Sequence, residues 1–175
     1  MELAKKEDFS AIFSLMKRSF PLEEFREMAA QERLLQHPAY RIYVVRDGAQ
    51  KIKSFLAAWE FDTFRFVEHL AVDPSIRGGG LGGKMIEEYL ERDNRPVFLE
   101  VEPPKTEMAR RRIGFYQRHG IRLNQFAYWQ QPLREGDVPM PLLVMSWPEP
   151  VSAQEFEPFK KIIYREVYGV TEDRG

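Results

Sequence analysis

The order of predicted elements indicates a mixed α/β fold: a central mixed sheet of about six to seven strands with helices on both faces. Two observations predict this fold. Three strands are grouped early in the chain, and a strand–helix–strand–helix–strand series follows them. The chain has 175 residues, 43% of them hydrophobic, which suffices for one domain with a packed core. We therefore predict a single domain over 1–175, with 148–175 as a linker and helix packed on it.

The first two predicted elements are helices. Apolar residues recur at helical spacing between Phe9 and Phe20, and Pro21 ends this pattern. A second helical pattern covers about 22–36 and stops before His37-Pro38. Both segments precede the first strand of the predicted sheet.

The strands are predicted from alternating and apolar runs. Asp47-Gly48 separates two such runs, which is a hairpin signal. The run that ends at Val101 is short, apolar and branched, as expected of a buried strand, and Pro103-Pro104 breaks it. The predicted strands are 40–46, 52–61, 63–72, 96–101, 121–130 and 142–147.

Three helices accompany the later strands. The first follows a glycine-rich loop and ends near Arg92. The second runs from Thr106 to His119, where Gly120 stops it. The last is an amphipathic helix over about 153–168, after a proline-spaced linker. Two arrangements are open for this helix: packing on its own domain, or packing on a second copy in a homodimer.

The composition excludes several classes of protein. There are 26 basic and 27 acidic residues, whereas a nucleic-acid binder should show a basic excess, so no nucleic-acid partner is expected. Without cysteine and with three scattered histidines, no metal site is expected. The start MELAKKEDF has no apolar signal region, and no apolar run reaches the ~18 residues of a membrane span. These features predict a soluble cytoplasmic protein with no membrane partner.

The glycine cluster after Val72 indicates a phosphate-binding loop. Consecutive N–H groups at the start of a helix suit a phosphate, and glycine permits close approach and positive φ. The candidate binding residues are Arg77, Gly78, Gly79, Gly80, Leu81, Gly82, Gly83 and Lys84.

Three phosphate-loop patterns overlap in this cluster. Gly78-x-Gly80-x-x-Gly83 fits the dinucleotide pattern, but there the first glycine ends the strand, whereas here Asp73–Arg77 intervenes. Gly78-x4-Gly83-Lys84 begins a P-loop, but Met85 stands where a hydroxyl residue would hold Mg²⁺. The third pattern is Arg77-x-x-Gly80-x-Gly82.

The third pattern is shared with a known family. It follows the strand end Leu70-Ala71-Val72-Asp73-Pro74, and the later segment GFYQRHGI, Gly114 to Ile121, is similar to F-Y-x-x-x-G-F with Ile121 in place of Phe. With both motifs in order and one strand between them, the chain resembles the GNAT (GCN5-related) N-acetyltransferases over nearly its whole length. It departs from many members at Ala109 and Arg112, where they carry Asn and Ala. The resemblance implies a twisted, mostly antiparallel sheet.

The resemblance also implies an activity. An acetyl-CoA-dependent N-acetyltransferase would move the acetyl group to a primary amine of a small molecule or peptide by direct attack on the thioester. Coenzyme A would place its pyrophosphate on the glycine loop and its pantetheine arm along Leu70, Ala71 and Val72. A coenzyme A-binding sensor or interaction module of the same fold, without turnover, is the alternative.

Two catalytic residues are predicted from the family pattern. Tyr116 matches the tyrosine near the sulfur and is the candidate acid for the departing thiolate. Glu68 lies on the cofactor strand and is the candidate base, directly or through water, for an amine with a pKa of roughly 10. Glu100 and Glu102 are alternative bases.

Other polar and aromatic residues receive structural or peripheral roles. His69 is expected to be structural, and His119 to cap a helix C-terminus, where a cation is favourable. Arg110–Arg112 is expected to be a solvated face; part of it, or Lys84, is the candidate for the 3′-phosphate of the cofactor. The acceptor pocket is expected within 22–37 and around 126–141. Six aromatic residues are expected mainly in the core, with one or two lining that pocket: Phe61, Phe64, Phe66, Phe126, Tyr128 and Trp129.

Overall fold

A computed structural model describes residues 1–170 and confirms the mixed α/β fold. These residues form an eight-stranded, mostly antiparallel sheet and five α-helices. The strands are β1 (Glu2–Leu3), β2 (Tyr40–Arg46), β3 (Ile52–Glu60), β4 (Arg65–Val72), β5 (Val97–Val101), β6 (Arg122–Leu123), β7 (Tyr128–Gln130) and β8 (Met140–Trp147). The helices are α1 (Phe9–Ser19), α2 (Met28–Arg33), α3 (Leu81–Leu90), α4 (Glu107–Arg118) and α5 (Ala153–Ile162).

The described chain divides into two compact units. The first holds 1–61 and 67–94, and the second holds 62–66 and the described residues from 95 onward. Strand β4 therefore begins in the second unit and continues in the first. The predicted single domain is not tested by this division and stays a prediction. The last part of the predicted C-terminal segment, 171–175, lies outside the described residues. Within residues 1–170, each helix is too short or too polar to cross a lipid bilayer.

The first unit has the strand order β1-β2-β3-β4. Strands β2 and β3 form the predicted hairpin, with Tyr40 opposite Trp59 and Val44 opposite Phe55. Helices α1 and α3 each bury an apolar stripe, as their spacing predicts. The buried members of these stripes are Phe9, Ile12, Phe13, Leu15 and Met16 in α1, and Met85, Ile86, Tyr89 and Leu90 in α3.

The hairpin turn differs in detail from its sequence signal. Gln50, rather than Gly48, adopts the left-handed conformation, with φ of 64°. The Asp47 side chain accepts hydrogen bonds from the backbone N–H groups of Ala49 and Lys51, at 3.0 and 2.9 Å. This Asp-centred turn sets the chain reversal, so the glycine beside it is not needed for positive φ.

The predicted helix over 22–36 was wrong as a continuous element. The segment forms a 3₁₀ turn (Leu22–Glu24), an extended residue at Phe25, the short α2 and a second 3₁₀ turn (Leu34–Gln36). Phe25 packs against Phe13 with ring centroids 5.8 Å apart, and Arg26 is buried beside it. Because the consecutive residues Phe25 and Arg26 are both buried, the chain cannot continue as one amphipathic helix here. Tertiary contacts therefore override the local helical pattern.

The second unit contains β5-β8-β6 in that order, and β7 also pairs with β8. Helix α5 begins with a capping box at Ser152 and Glu155. Its Phe156 and Phe159 contact Phe98 of β5, at centroid distances of 5.1 and 4.8 Å. The final helix therefore packs on its own chain. A homodimer is not tested and stays a prediction.

The predicted strand over 121–130 is divided into β6 and β7. Between them, the Asn124 side chain donates to the carbonyl oxygen of Val144 at 3.1 Å and accepts from the N–H of Val151 at 2.8 Å. The backbone N–H of Asn124 also donates to the carbonyl oxygen of Val144, at 3.0 Å, so both its backbone and its side chain are tied to this turn between the two strands. This division, together with the two-residue β1, raises the strand number above the predicted six to seven.

Candidate active site

The glycine loop begins with a tight turn after β4. The Asp73 carboxylate accepts hydrogen bonds from the N–H and hydroxyl of Ser75, at 3.0 and 2.8 Å. These bonds, the backbone bond first, lower the pKa of Asp73. A 3₁₀ turn (Pro74–Ile76) then leads to Arg77, whose Nε donates to the carbonyl oxygen of Val72 at 3.3 Å. The start of the loop is thereby fixed to the end of the strand.

Two glycines in the loop have backbone angles that favour glycine. Gly78 has φ of 90° and Gly80 has φ of 76°, and Gly80 is the residue from which α3 starts. A Cβ at either position would meet nothing within 4 Å, so backbone conformation rather than crowding explains these glycines.

The amides of this loop point to an anion site. The first hydrogen bond of α3 runs from the N–H of Lys84 to the carbonyl oxygen of Gly80 at 3.0 Å, so the N–H groups of 80–83 have no partner within the helix. The N-terminal end of a ten-residue helix adds a partial positive charge. Four exposed cations lie on or near the loop: Arg77 and Lys84 within it, and Arg18 and Lys51 close enough to lower the pKa of Asp73. Backbone donors and surrounding positive charge fit a diphosphate.

On the predicted cofactor strand, Ala71 is buried, and its carbonyl oxygen accepts from the Ser54 hydroxyl at 2.8 Å. Leu70 and Val72 are half-buried.

Glu68, the candidate base, is part of a buried ion pair in the first unit. Its side chain is 5% exposed, and Oε1 lies 2.7 Å from Nη1 of Arg26. Its other oxygen, Oε2, accepts from the indole N–H of Trp59 at 3.1 Å. Burial alone would raise the pKa of Glu68, but Arg26, then His69 and Trp59, hold the pKa below its ordinary value. Glu68 therefore stays ionised and is a weak proton acceptor.

A second layer of polar contacts surrounds this pair. The backbone N–H of Arg26 donates to Gln31 Oε1 at 3.3 Å, and Gln31 Nε2 donates to the Tyr40 hydroxyl at 2.9 Å. Gln31 is fully buried, and burial raises the pKa of Tyr40. These bonds attach the segment before and within α2 to the sheet of the first unit.

His69 lies beside Glu68 and is equally buried. Its Nε2 is 2.7 Å from the carbonyl oxygen of Glu24, and its ring contacts Phe20 at 4.9 Å. Nδ1 lies 3.8 Å from Glu68 Oε2, although the sequence places the two residues on opposite faces of a strand. Burial lowers the pKa of His69, and the Glu68 charge only partly offsets this. The imidazole is therefore neutral near pH 7.

Tyr116, the candidate acid, lies near the C-terminal end of α4 in the second unit and is 9% exposed. Its ring packs against Phe115 at 5.1 Å, and its carbonyl oxygen accepts from the N–H groups of His119 and Ile121, both at 3.1 Å. Gly120, with φ of 81°, allows the chain to turn there. Ile121 is fully buried, so the residue that replaces the family's Phe serves as a core side chain.

Of the alternative bases, Glu100 is held by two tyrosines. Its Oε1 accepts a short hydrogen bond from Tyr128, and its Oε2 accepts from Tyr168 at 2.6 Å. Burial, followed by the Glu100 charge, raises the pKa of Tyr128 well above its ordinary value. Both carboxylate oxygens are engaged, so Glu100 links β5 and β7 to the C-terminal turn. Glu102 is half-buried.

The remaining predicted residues divide by exposure. Phe64, Phe66 and Tyr128 are core residues, Phe61 and Phe126 are half-buried, and Trp129 is 37% exposed. His119 caps the C-terminal end of α4 and contacts Phe115 at 4.8 Å. Ala109, at the position of the family's Asn, is buried, whereas Arg110 and Arg111 are exposed.

Sequence analysis did not find the partners of Glu68. Arg26 lies 42 positions before Glu68, in a charged stretch that is typical of the solvated face of a helix. Trp59 reads as a core residue of the hairpin, and Gln31 carries no motif. No local pattern links these residues, because they meet only when the chain has folded.

Comparison with known proteins identifies the family. The profile of the family described as "Acetyltransferase (GNAT) domain" matches residues 38–120. YjbC of Bacillus subtilis (strain 168), assigned as an acetyltransferase, is 31% identical over 165 residues, which cover 93% of this chain and 83% of YjbC. The chain belongs to the GNAT acetyltransferase family. The resemblance carried by the two motifs is thus confirmed.

Solved structures of GNAT proteins agree with this assignment. A protein from Bacteroides thetaiotaomicron, assigned as a GNAT-family acetyltransferase, is 35% identical with a TM-score of 0.85, over 94% of this chain and 93% of the other. A spermidine N-acetyltransferase SpeG chimera of Vibrio cholerae and hSSAT is 15% identical with a TM-score of 0.63, over 83% of this chain and 93% of the other. At that identity the second likeness shows the GNAT fold alone.

Proposed function

We propose that this protein is an acetyl-CoA-dependent N-acetyltransferase that moves an acetyl group to a primary amine of a small molecule or peptide. The observation that carries the proposal is the glycine loop of a GNAT-family chain: N–H groups at the start of α3 that have no partner within the helix, with positive φ at Gly78 and Gly80. When bound, acetyl-CoA supplies an activated acyl group with a thiolate leaving group. The chain must then bind this cosubstrate and manage two protons.

The residues present fit coenzyme A. The amides of 78–83 suit the pyrophosphate, and the backbone of 70–72 suits the amide-bearing arm. Lys84 is exposed in the first turn of α3 and belongs to the same unit as the loop, which favours it over Arg110–Arg112 for the 3′-phosphate.

The two proton steps are assigned to different residues. Tyr116 donates the proton that the departing thiolate needs, a role consistent with a buried tyrosine in the segment that resembles the family's F-Y-x-x-x-G-F motif. Glu68 assists the loss of a proton from the amine. Because its pKa is lowered, Glu68 serves better as an anion that stabilises a neighbouring cation than as the group that finally holds the proton. Tyr116 and Glu68 belong to different units, and each role is proposed from its own surroundings.

Two segments, each considered by itself, are proposed to supply side chains for the acceptor: 22–37 and the residues around 126–141. Leu22, in the 3₁₀ turn before α2, and Met28, the first residue of α2, are 62% and 49% exposed, and Trp129 and Val138 are exposed in the second unit. Exposed apolar side chains of this kind suit the hydrocarbon part of an alkylamine.

A panel of amines tests the proposed function. Acetyl-CoA is incubated with polyamines including spermidine, amino sugars, free amino acids and lysine peptides, and thiol release is followed. We expect at least one amine to give turnover roughly tenfold or more above the uncatalysed rate. Coenzyme A binding in a calorimeter without turnover on any amine would favour the sensor alternative. Absence of coenzyme A binding at millimolar ligand would contradict both.

A further inference from the structure

His69 is a buried titratable residue to which the proposed function assigns no role. Its side chain is 2% exposed, and within the described residues its Nδ1 has no hydrogen-bond partner. An unsatisfied buried polar atom costs free energy, so its presence in a native structure indicates a bound water or a functional role. The other ring nitrogen is satisfied by the Glu24 carbonyl oxygen.

The contacts of the ring fix where its lone pair lies. A carbonyl oxygen only accepts, so the 2.7 Å contact with Glu24 requires a proton on Nε2. The neutral imidazole therefore presents an unprotonated Nδ1. Glu68 Oε2 lies 3.8 Å from Nδ1, which is too long for a direct hydrogen bond.

We propose that His69 is the residue that holds the amine proton during acetyl transfer, at Nδ1, and that Glu68 stabilises the imidazolium that forms. The assignment rests on the proposed function and adds to it the proton acceptor. A histidine oriented by a backbone carbonyl on one nitrogen and placed beside a carboxylate on the other has the arrangement of a general base. Because both side chains are buried, we place one water between the amine and Nδ1, and the proton passes through it.

The charged groups around His69 suit this role. Glu68, on its own strand, favours the protonated ring, whereas Arg26, in the segment before α2, disfavours it. Phe20, at the end of α1, and the Glu24 carbonyl add no net charge. Burial and Arg26 keep His69 neutral in the resting protein, and the Glu68 carboxylate offsets the positive charge once a proton arrives.

The protons balance over one turnover. The amine enters as an ammonium and gives one proton through water to Nδ1. Its nitrogen lone pair then forms the N–C bond, and the C–S bond breaks. The sulfur receives a proton from Tyr116, which recovers the second proton lost by the nitrogen. His69 finally returns its proton to solvent, so the net products are the amide, coenzyme A thiol and one released proton.

The substitution His69→Gln separates this role from a structural one. The Gln side-chain amide keeps a donor at the Nε2 position for the Glu24 carbonyl but has no basic nitrogen. We expect kcat to fall by about 10²–10⁴-fold, the usual contribution of a general base, while the Kd for coenzyme A changes by less than about twofold. If His69 only anchors Glu24, kcat of His69→Gln stays within about threefold of wild type, and the inference is overturned.

Two further measurements distinguish the readings. A protonated His69 cannot accept a proton, so wild-type kcat/KM should fall as the pH drops through an inflection below 6.5, and His69→Gln should lack this inflection. Nitrogen NMR of labelled histidine should show a protonated Nε2 and an unprotonated Nδ1; the opposite tautomer overturns the inference.

Phe20→Leu is the matched control. It alters the ring contact of His69 without changing either nitrogen, and we expect its kcat within about threefold of wild type. A loss in Phe20→Leu as large as that in His69→Gln would show that packing is responsible and would overturn the inference. If wild type binds coenzyme A and turns over while His69→Gln is unchanged, the proposed function stands and this inference alone falls. If wild type shows no turnover, both fall.

Discussion

Arg26 and Glu68 show how a buried charge depends on a partner that is distant in sequence. The carboxylate of Glu68 has lost its water, and a guanidinium 2.7 Å away compensates for that loss. Removing one member of such a pair leaves the other charge buried and uncompensated. The same pair also decides chemistry, since it keeps Glu68 ionised and weakly basic.

Arg26→Met should therefore destabilise the fold, by about 3–5 kcal/mol at pH 7. The lowered folded-state pKa means that ionised Glu68 adds stability above its ordinary pKa of 4.5, and that this stability is lost as the pH falls through the folded-state pKa. In Arg26→Met the folded-state pKa should be raised instead. The difference in free energy of unfolding from wild type should thus be largest near neutral pH. It should shrink as the pH falls, first through the raised pKa of the variant, above 4.5, and then through the lowered pKa of wild type, below 4.5. Urea denaturation at several pH values measures it.

The double variant Arg26→Met/Glu68→Gln provides the control. Without the buried charge, it should be less destabilised than the sum of the two single variants. Additive effects, or a pH-independent loss in Arg26→Met, would show that packing of the Arg26 side chain matters more than its charge.

Two substitutions at Gly80 that differ by one charge test the proposed anion site. Gly80→Asp places a carboxylate on the loop, and Gly80→Asn places a neutral side chain of the same shape at a φ of 76° that Asn tolerates. We expect coenzyme A to bind the Asp variant at least ~10-fold more weakly than the Asn variant, about 1.4 kcal/mol. Calorimetry at two salt concentrations should show that the difference in coenzyme A affinity between the two variants is smaller at higher salt. Equal affinities of the two variants would place the pyrophosphate elsewhere.

Tyr116→Phe removes the proposed proton donor. If the phenol protonates the thiolate, kcat should fall at least ~10-fold with KM for acetyl-CoA little changed. Tyr43→Phe is the matched control: it removes another buried tyrosine hydroxyl, which bonds Glu60 at 2.8 Å, and should leave kcat near wild type. An unchanged kcat in Tyr116→Phe that persists in single-turnover kinetics would make Tyr116 structural.

At the scale of elements, the helices and strands that were predicted correctly are those whose sequence signals lie within the element itself. Apolar spacing and stop residues within each segment predicted the hairpin, α1, α3 and α4. The segment 22–36 was not, because Phe25 and Arg26 turn inward to partners in α1 and β4. The strand over 121–130 is divided at Asn124 for a similar reason, since its side chain bonds Val144 and Val151, which are distant in sequence.

Helix α4, which carries Tyr116, offers a prediction about its own start. The Thr106 hydroxyl accepts from the N–H of Ala109 at 3.0 Å, so Thr106→Ala should lower the free energy of unfolding by about 1 kcal/mol. In a chain of this size the melting temperature should fall by about 2–4 °C. Thr106→Ser keeps the hydroxyl and should stay near wild type, and neither variant should change kcat. A cost shared by both variants would argue against capping.

At the scale of the whole molecule, the proposed groups are distributed over the chain. The glycine loop, Glu68 and His69 belong to the first unit, and Tyr116 belongs to the second. Strand β4 contributes residues to both units. Function of the kind proposed therefore needs the entire described chain, and binding of the cosubstrate should be visible as global stabilisation.

Coenzyme A should raise the melting temperature. At a concentration ~100-fold above its Kd, a ligand that binds only the folded state adds about 2.7 kcal/mol, which corresponds to roughly 5–10 °C here. ATP and NAD are the controls, because the loop also overlaps their sequence patterns, and neither should match coenzyme A. A shift with ATP or NAD and none with coenzyme A would instead indicate a nucleotide-dependent enzyme.

The sequence by itself determined the fold class, the glycine loop and the family. Each of these conclusions depends on residues that are close together in the sequence: alternating apolar runs for the strands, clustered glycines for the loop, and two motifs separated by one strand for the family. Tertiary structure alone decided what surrounds the reactive groups. Arg26 reaches Glu68 across 42 positions and Tyr168 reaches Glu100 across 68. The Arg26 charge keeps Glu68 ionised against its burial, whereas burial lowers the pKa of His69 and raises the pKa of Tyr128. Local sequence patterns carry no information on such contacts. Distant side chains meet, and water is excluded from them, only when the chain has folded.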